Sequence, residues 1–157
     1  MKKLIKNIFC PMLLFIVIGC SSDNSPSGPS ETDMAVGTYQ LVELNVSPQQ
    51  DVNEDGTAST NMLSEMSCLT GTLTLNADTS WNLSFTNLDV TEITGGMLFL
   101  ACGDTTTGIG TWQLRNGTVT MVGGSETMTF SYNGTTLTNT SGENLPDGVQ
   151  SWVYEKQ

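Results

Sequence analysis

The strongest signal in the chain is a period-two alternation of apolar and polar residues. It runs through Trp81-Asn82-Leu83-Ser84-Phe85, Gly110-Thr111-Trp112-Gln113-Leu114 and Met128-Thr129-Phe130-Ser131-Tyr132. Successive side chains of a strand point to opposite faces, so each run predicts a strand with one buried and one wetted face. Residues 76–79, Asn116-Gly117, Gly123-Gly124 and Asn133-Gly134 punctuate the runs. Asn and Gly tolerate the positive φ that tight hairpin turns require. The pattern therefore predicts an antiparallel meander with strands near 71–75, 80–87, 109–115, 118–122, 126–132 and 135–139. Residues 37–44 and 150–156 supply the first and last strands, and 97–100 is a further candidate. The fold class is all-β. An up-and-down barrel of about eight strands is the preferred arrangement because closure covers every strand edge, and a β-sandwich is the alternative. The one helix expected is short, over residues 61–66.

Alternation along these strands turns Tyr39, Trp81, Phe85, Trp112 and Phe130 inward, together with several leucines and Met128. They are the candidate ligand-binding residues. A barrel of this size is only just wide enough for its own side chains, so a filled core competes with a ligand cavity. Met62, Met66 and Met97 fall in connections near the expected mouth, where flexible thioethers either adapt to a ligand or plug the end.

The first residues have a different character. Lys2, Lys3 and Lys6 precede an apolar run over 8–18 that is too short to span a bilayer core of roughly 30 Å, which predicts a signal peptide over residues 1–19. The run ends in Val17-Ile18-Gly19-Cys20, which resembles the lipobox of bacterial lipoproteins. The resemblance implies cleavage before Cys20, lipidation of its thiol with diacylglycerol and further acylation such as palmitate. With each buried methylene contributing about 0.8 kcal/mol, two or three chains anchor stably where one would not. Residues 20–35 are rich in Ser, Pro and Gly and form the expected flexible tether. Ser21-Ser22 resembles an outer-membrane sorting sequence, and Asp23 resembles a surface-export signal of some phyla. The expected address is the cell envelope, lipid-anchored in the outer membrane on its periplasmic or surface face. Residues 36–157 are then one domain.

Charge narrows the partners. Three of the five basic residues lie in the signal, leaving Arg115 and Lys156 against sixteen acids, a charge of about −14 after cleavage. Nucleic acid is excluded as an expected partner, because phosphate backbones need a cationic footprint. Cations and basic partners are favoured.

Cysteine use is simple: Cys10 is discarded with the signal, Cys20 takes lipid, and Cys68 and Cys102 remain for one disulfide. Their closed loop would stabilise the domain by roughly 3–4 kcal/mol on chain-entropy grounds. The chain has no histidine, and nothing in the sequence brings two carboxylates together, so no catalysis is expected. Asp51-x-Asn53-x-Asp55-Gly56 has the oxygen spacing of the first half of an EF-hand-type loop, with Thr57 at the seventh position. Asp51, Asn53, Asp55 and Thr57 are therefore candidate calcium ligands, although the twelfth position is Met62 and the nearest acid is Glu65.

Gly37-Thr38-Tyr39 at the first strand, the acidic loop followed by a short helix, the cysteine pair and Gly110-Thr111-Trp112 together resemble the lipocalin-like domain of many bacterial lipoproteins. The resemblance covers the chain after the tether. It implies an up-and-down barrel whose mouth holds a small hydrophobic ligand, and no catalysis. A filled barrel that binds protein or glycan through its surface is the competing expectation.

Overall fold

The computed structural model describes residues 28–93, 95, 98–140 and 148–157. The expected signal peptide, Cys20 and Met97 lie outside the described residues. One antiparallel sheet carries the strands β1 (Gly37–Gln50), β2 (Ser59–Asn61), β3 (Gly71–Leu75), β4 (Ser80–Glu92), β5 (Leu98–Arg115), β6 (Thr118–Gly123), β7 (Glu126–Tyr132), β8 (Thr136–Asn139) and β9 (Val149–Lys156). The spatial order is β2-β1-β3-β4-β5-β6-β7-β8-β9, and β1 also pairs with β9 from Tyr39↔Lys156 to Val46↔Val149. That pairing closes β1 and β3–β9 into an eight-stranded up-and-down barrel, lipocalin-like in form. The alternative of two stacked sheets is thereby excluded. Strand β2 is an extra short flap on β1.

Local chemistry explains three of the hairpins. Asn116 and Gly117 both adopt positive φ, 51° and 71°, as the two-residue turn between β5 and β6 requires. Asp78 accepts hydrogen bonds from the Ser80 amide and hydroxyl at the β3–β4 turn. Asn133 Oδ1 accepts from the amides of Thr135 and Thr136 before β8.

Two helices flank the barrel ends. Helix α1 (Glu31–Ala35) begins with a capping box in which Ser30 Oγ accepts from the Asp33 amide and Asp33 accepts from the Ser30 amide. It lies across one end of the barrel, where the Tyr39 hydroxyl donates to the Ala35 carbonyl at 2.6 Å and both residues are fully buried. Residues 31–35, expected in the tether, are thus packed against the domain. Their apolar content is too low to announce a core element, and the cap alone carries the signal. Helix α2 (Met62–Glu65) falls inside the expected span, capped by Asn61 Oδ1 on the Leu63 amide.

The two central strands are much longer than the alternation predicts. β4 continues to Glu92 and β5 begins at Leu98, which absorbs the candidate strand near residue 100. A register shift between Thr86 and Leu88 inserts one extra residue into β5. Such bulges bend and twist a hairpin. Beyond it, Leu88 and Leu100 are buried in the core. Val90 and Leu98 reach the backbone at Gly148, where an added methyl would stand 2.8 Å from Leu98 and 3.8 Å from Val90. Gly148 leads into β9, opposite β5 around the barrel, so the hairpin crosses the mouth. The Cys68–Cys102 disulfide ties β5 of this hairpin to the segment between α2 and β3. The barrel therefore has a closed end at α1 and a roofed mouth at the β4–β5 hairpin.

Candidate functional site

The lower half of the lumen is filled. Tyr39, Leu73, Leu75, Val119, Met121 and Leu137 have no exposed surface. Phe130 packs edge-on against Tyr154 with centroids 6.1 Å apart. Trp112, nearly buried, donates its Nε1–H to the Asn76 carbonyl at 3.0 Å, fixing the ring against the β3–β4 turn. Of the five aromatics expected to line a ligand site, Tyr39, Trp112 and Phe130 therefore belong to packed core.

Trp81 and Phe85 reach a different region. A cleft of about 240 Å³ lies in the upper lumen, lined by Trp81, Leu83, Phe85, Met128 and Trp152. Its rim is Thr106, Thr107, Gly108 and Ile109 of β5 on one side and Gly123 and Glu126 of the β6–β7 turn on the other. The opening follows from strand length: β5 pairs with β6 only over Thr111–Arg115, and its residues 98–110 have β4 as their one partner strand. The barrel wall is thus parted where β5 outruns β6.

Three glycines make room for the Trp81 ring beside this cleft. A Cβ at Gly108 would lie 3.0 Å from the Trp81 ring, one at Gly123 2.6 Å, and one at Gly110 2.8 Å from Trp81 Nε1. The indole lies against bare backbone and donates to the Val122 carbonyl at 3.2 Å. A side chain at any of the three positions would displace it. Trp152 closes the cleft from β9, with its ring centroid 5.1 Å from that of Phe85 and the planes tilted by 52°. Beyond this pair lies a second cavity of about 260 Å³, lined by Leu44, residues 85–89 and Trp152.

Polar groups are sparse inside. Asn87 donates to the Thr106 hydroxyl at 2.8 Å on the rim. Trp152 Nε1 and the Tyr154 hydroxyl are buried without a hydrogen-bond partner among the described residues. Burial holds the Tyr154 and Tyr39 hydroxyls well above the usual tyrosine range. Both basic side chains among the described residues sit at the closed end. Lys156 Nζ donates to the Met34 carbonyl and stands 6.0 Å from the Tyr39 ring centroid, and Arg115 precedes the β5–β6 turn. Glu126 is the ionisable residue of the cleft lining, and Asp89 that of the second cavity.

In the acidic loop the candidate calcium ligands Asp51, Asn53 and Asp55 each accept local backbone hydrogen bonds. Asp51 accepts from the amides of Asp55 and Gly56, Asn53 from that of Asp55, and Asp55 from that of Thr57. These are local side-chain to backbone turns that the same residues form without an ion. Met62, at the twelfth position, is fully buried in the core. Glu65 is buried with its carboxylate on the amides of Val52 and Asn53. Among the described residues no three acidic or thiol groups converge on one point. The Glu65 carboxylate holds the loop onto α2.

The sequence reading missed Trp152 and Glu126. Trp152-Val153-Tyr154 carries an aromatic at alternate positions, a signal for inward facing in the closing strand. No local pattern marks Glu126, which reaches the cleft because β6 ends early.

Comparison with known proteins finds no matching family model, no matching curated protein and no matching solved structure. The fold class rests on the closed strand order itself. Among the described residues no helix is long and apolar enough to cross a membrane.

Proposed function

We propose that the protein is a lipid-anchored carrier or sensor of the cell envelope, attached to the outer membrane through acylated Cys20, whose lipocalin-like barrel binds a small hydrophobic ligand without catalysis. One observation carries the reading: two indoles, a phenyl ring, Leu83 and Met128 converge on one cleft that the strand pairing leaves open. Its volume of about 240 Å³ lies below the ~300–1,000 Å³ of drug-sized sites, so the ligand is small. A ligand body displacing water from these faces gains about 25 cal/mol per Å² of apolar surface buried.

The test is quenching or blue-shift of tryptophan emission on titrating the purified protein with a small aromatic such as benzyl alcohol. Trp81 and Trp152 should respond while Trp112 does not, so Trp112→Phe should keep the response and Trp81→Phe with Trp152→Phe should remove it. An unchanged spectrum at saturating probe would reject the binding reading. Anchoring is tested separately: incorporation of a labelled palmitate analogue into the wild-type chain, lost on Cys20→Ser, supports it.

A second reading, a non-catalytic module that binds protein or glycan through its surface, is favoured by Ile109 and Phe99. These are 73% and 60% exposed on β5, whose residues 98–110 have one strand neighbour. Such an edge can accept an added strand.

A further inference from the structure

The cleft has a charge character as well as an apolar one. We propose that it selects organic cations, small ammonium compounds with an apolar body, over carboxylates of the same size; the inference rests on the cleft being a ligand site. Three aromatic rings line it, and an aromatic face carries the negative end of its quadrupole. Trp81 spends its N–H on the Val122 carbonyl, so it offers the cleft its ring and not a donor. The buried Trp152 N–H is likewise withdrawn from the open surface. Phe85 and Trp152 both line the cleft, their planes tilted by 52° with centroids 5.1 Å apart.

The ionisable groups at this end have one sign. Glu126 stands on the rim and Asp89 in the adjoining cavity. Asp104 and Glu92 lie on the same roofing hairpin. Arg115 and Lys156, the basic residues of the described chain, are at the closed end. A carboxylate entering the cleft would leave water for aromatic faces and a carboxylate neighbour, with no cation to receive it. Desolvating a charge without a partner is costly, whereas an ammonium finds both the rings and Glu126.

The experiment compares benzyltrimethylammonium, phenylacetate and benzyl alcohol on the purified protein at low ionic strength, read by tryptophan emission and by calorimetry. The cation should bind about tenfold more tightly than phenylacetate, the size expected from cation–π contact with one partly screened charge. The gap should narrow as salt is added. Glu126→Gln should weaken the cation several-fold more than it weakens benzyl alcohol. Phenylacetate binding as well as the cation would overturn the proposal, as would an equal response of cation and benzyl alcohol to Glu126→Gln. Benzyl alcohol binding without any cation preference would overturn the charge selectivity and leave the cleft standing. Failure of all three probes would remove the cleft reading and the proposal together. If Glu126→Gln lowers the urea midpoint, the salt dependence of the wild-type preference decides instead, and a salt-independent ratio counts against the proposal.

Discussion

Phe85 stands 5.1 Å from Trp152, ring to ring, and the pair forms the partition between two cavities at the barrel mouth. The same kind of residue deeper in the lumen plays another part: Phe130 is 1% exposed and is wedged against Tyr154. Position along the barrel axis, and not residue type, separates lining from core.

Phe130→Ala should therefore lower unfolding stability by about 3–5 kcal/mol, the range for deleting a fully buried ring. Phe85→Ala removes a half-buried ring beside existing space and should cost less than half as much, while changing probe affinity. Urea unfolding and probe titration of both variants measure the contrast, and equal stability losses would contradict it.

Gly110 has no room for a side chain. A Cβ there would fall 1.9 Å from the Val122 carbonyl oxygen and 2.8 Å from Trp81 Nε1. Gly110→Ala should destabilise by about 1–3 kcal/mol or more through overpacking, and should shift tryptophan emission to the red as the indole is displaced. Gly124, whose Cβ would meet open space, is not a clean control because its φ is positive at 61°. Gly28, with open surroundings and no such φ, serves, and Gly28→Ala should leave both readouts unchanged.

The Tyr154 hydroxyl is buried with no partner among the described residues. Tyr154→Phe should be neutral or stabilising by up to about 1 kcal/mol, because it removes an unsatisfied polar group and keeps the ring. Burial raises the hydroxyl's pKa above the usual tyrosine value of 10.0, so the native state favours the neutral phenol. The sign follows: this contribution is complete below pH 10 and declines as the pH rises further. The thermal midpoint should thus fall less between neutral and alkaline pH for Tyr154→Phe than for wild type.

Cys68 and Cys102 are 34 residues apart, and their bond holds β5 of the roofing hairpin. Reduction should lower stability by about 3–4 kcal/mol on chain-entropy grounds. Amide exchange should accelerate first over residues 88–102, ahead of the filled lower core. Uniform acceleration across the barrel would show that the roof and the core open as one unit.

Most of the strand order was legible because alternation and Asn-Gly turns are local properties. β3, β6 and β7 fall within one residue of the spans that pattern predicts. The roof was not legible, since Asp104-Thr105-Thr106-Thr107 has no apolar alternation, and its strand exists through pairing with β4 and anchorage at Cys102. Gly123 read as a turn residue and Gly110 as part of a strand, whereas Gly108, Gly110 and Gly123 together make space for one indole. In the acidic loop the spacing of Asp51, Asn53 and Asp55 was legible, and the amides two to five residues away that bond their oxygens were not.

Helix α1 lies across the closed end of the barrel and is the point from which the chain runs back toward Cys20. Arg115 and Lys156 share that end with α1, and the opening with Glu126 occupies the other, so a ligand enters the barrel at the pole away from its basic residues.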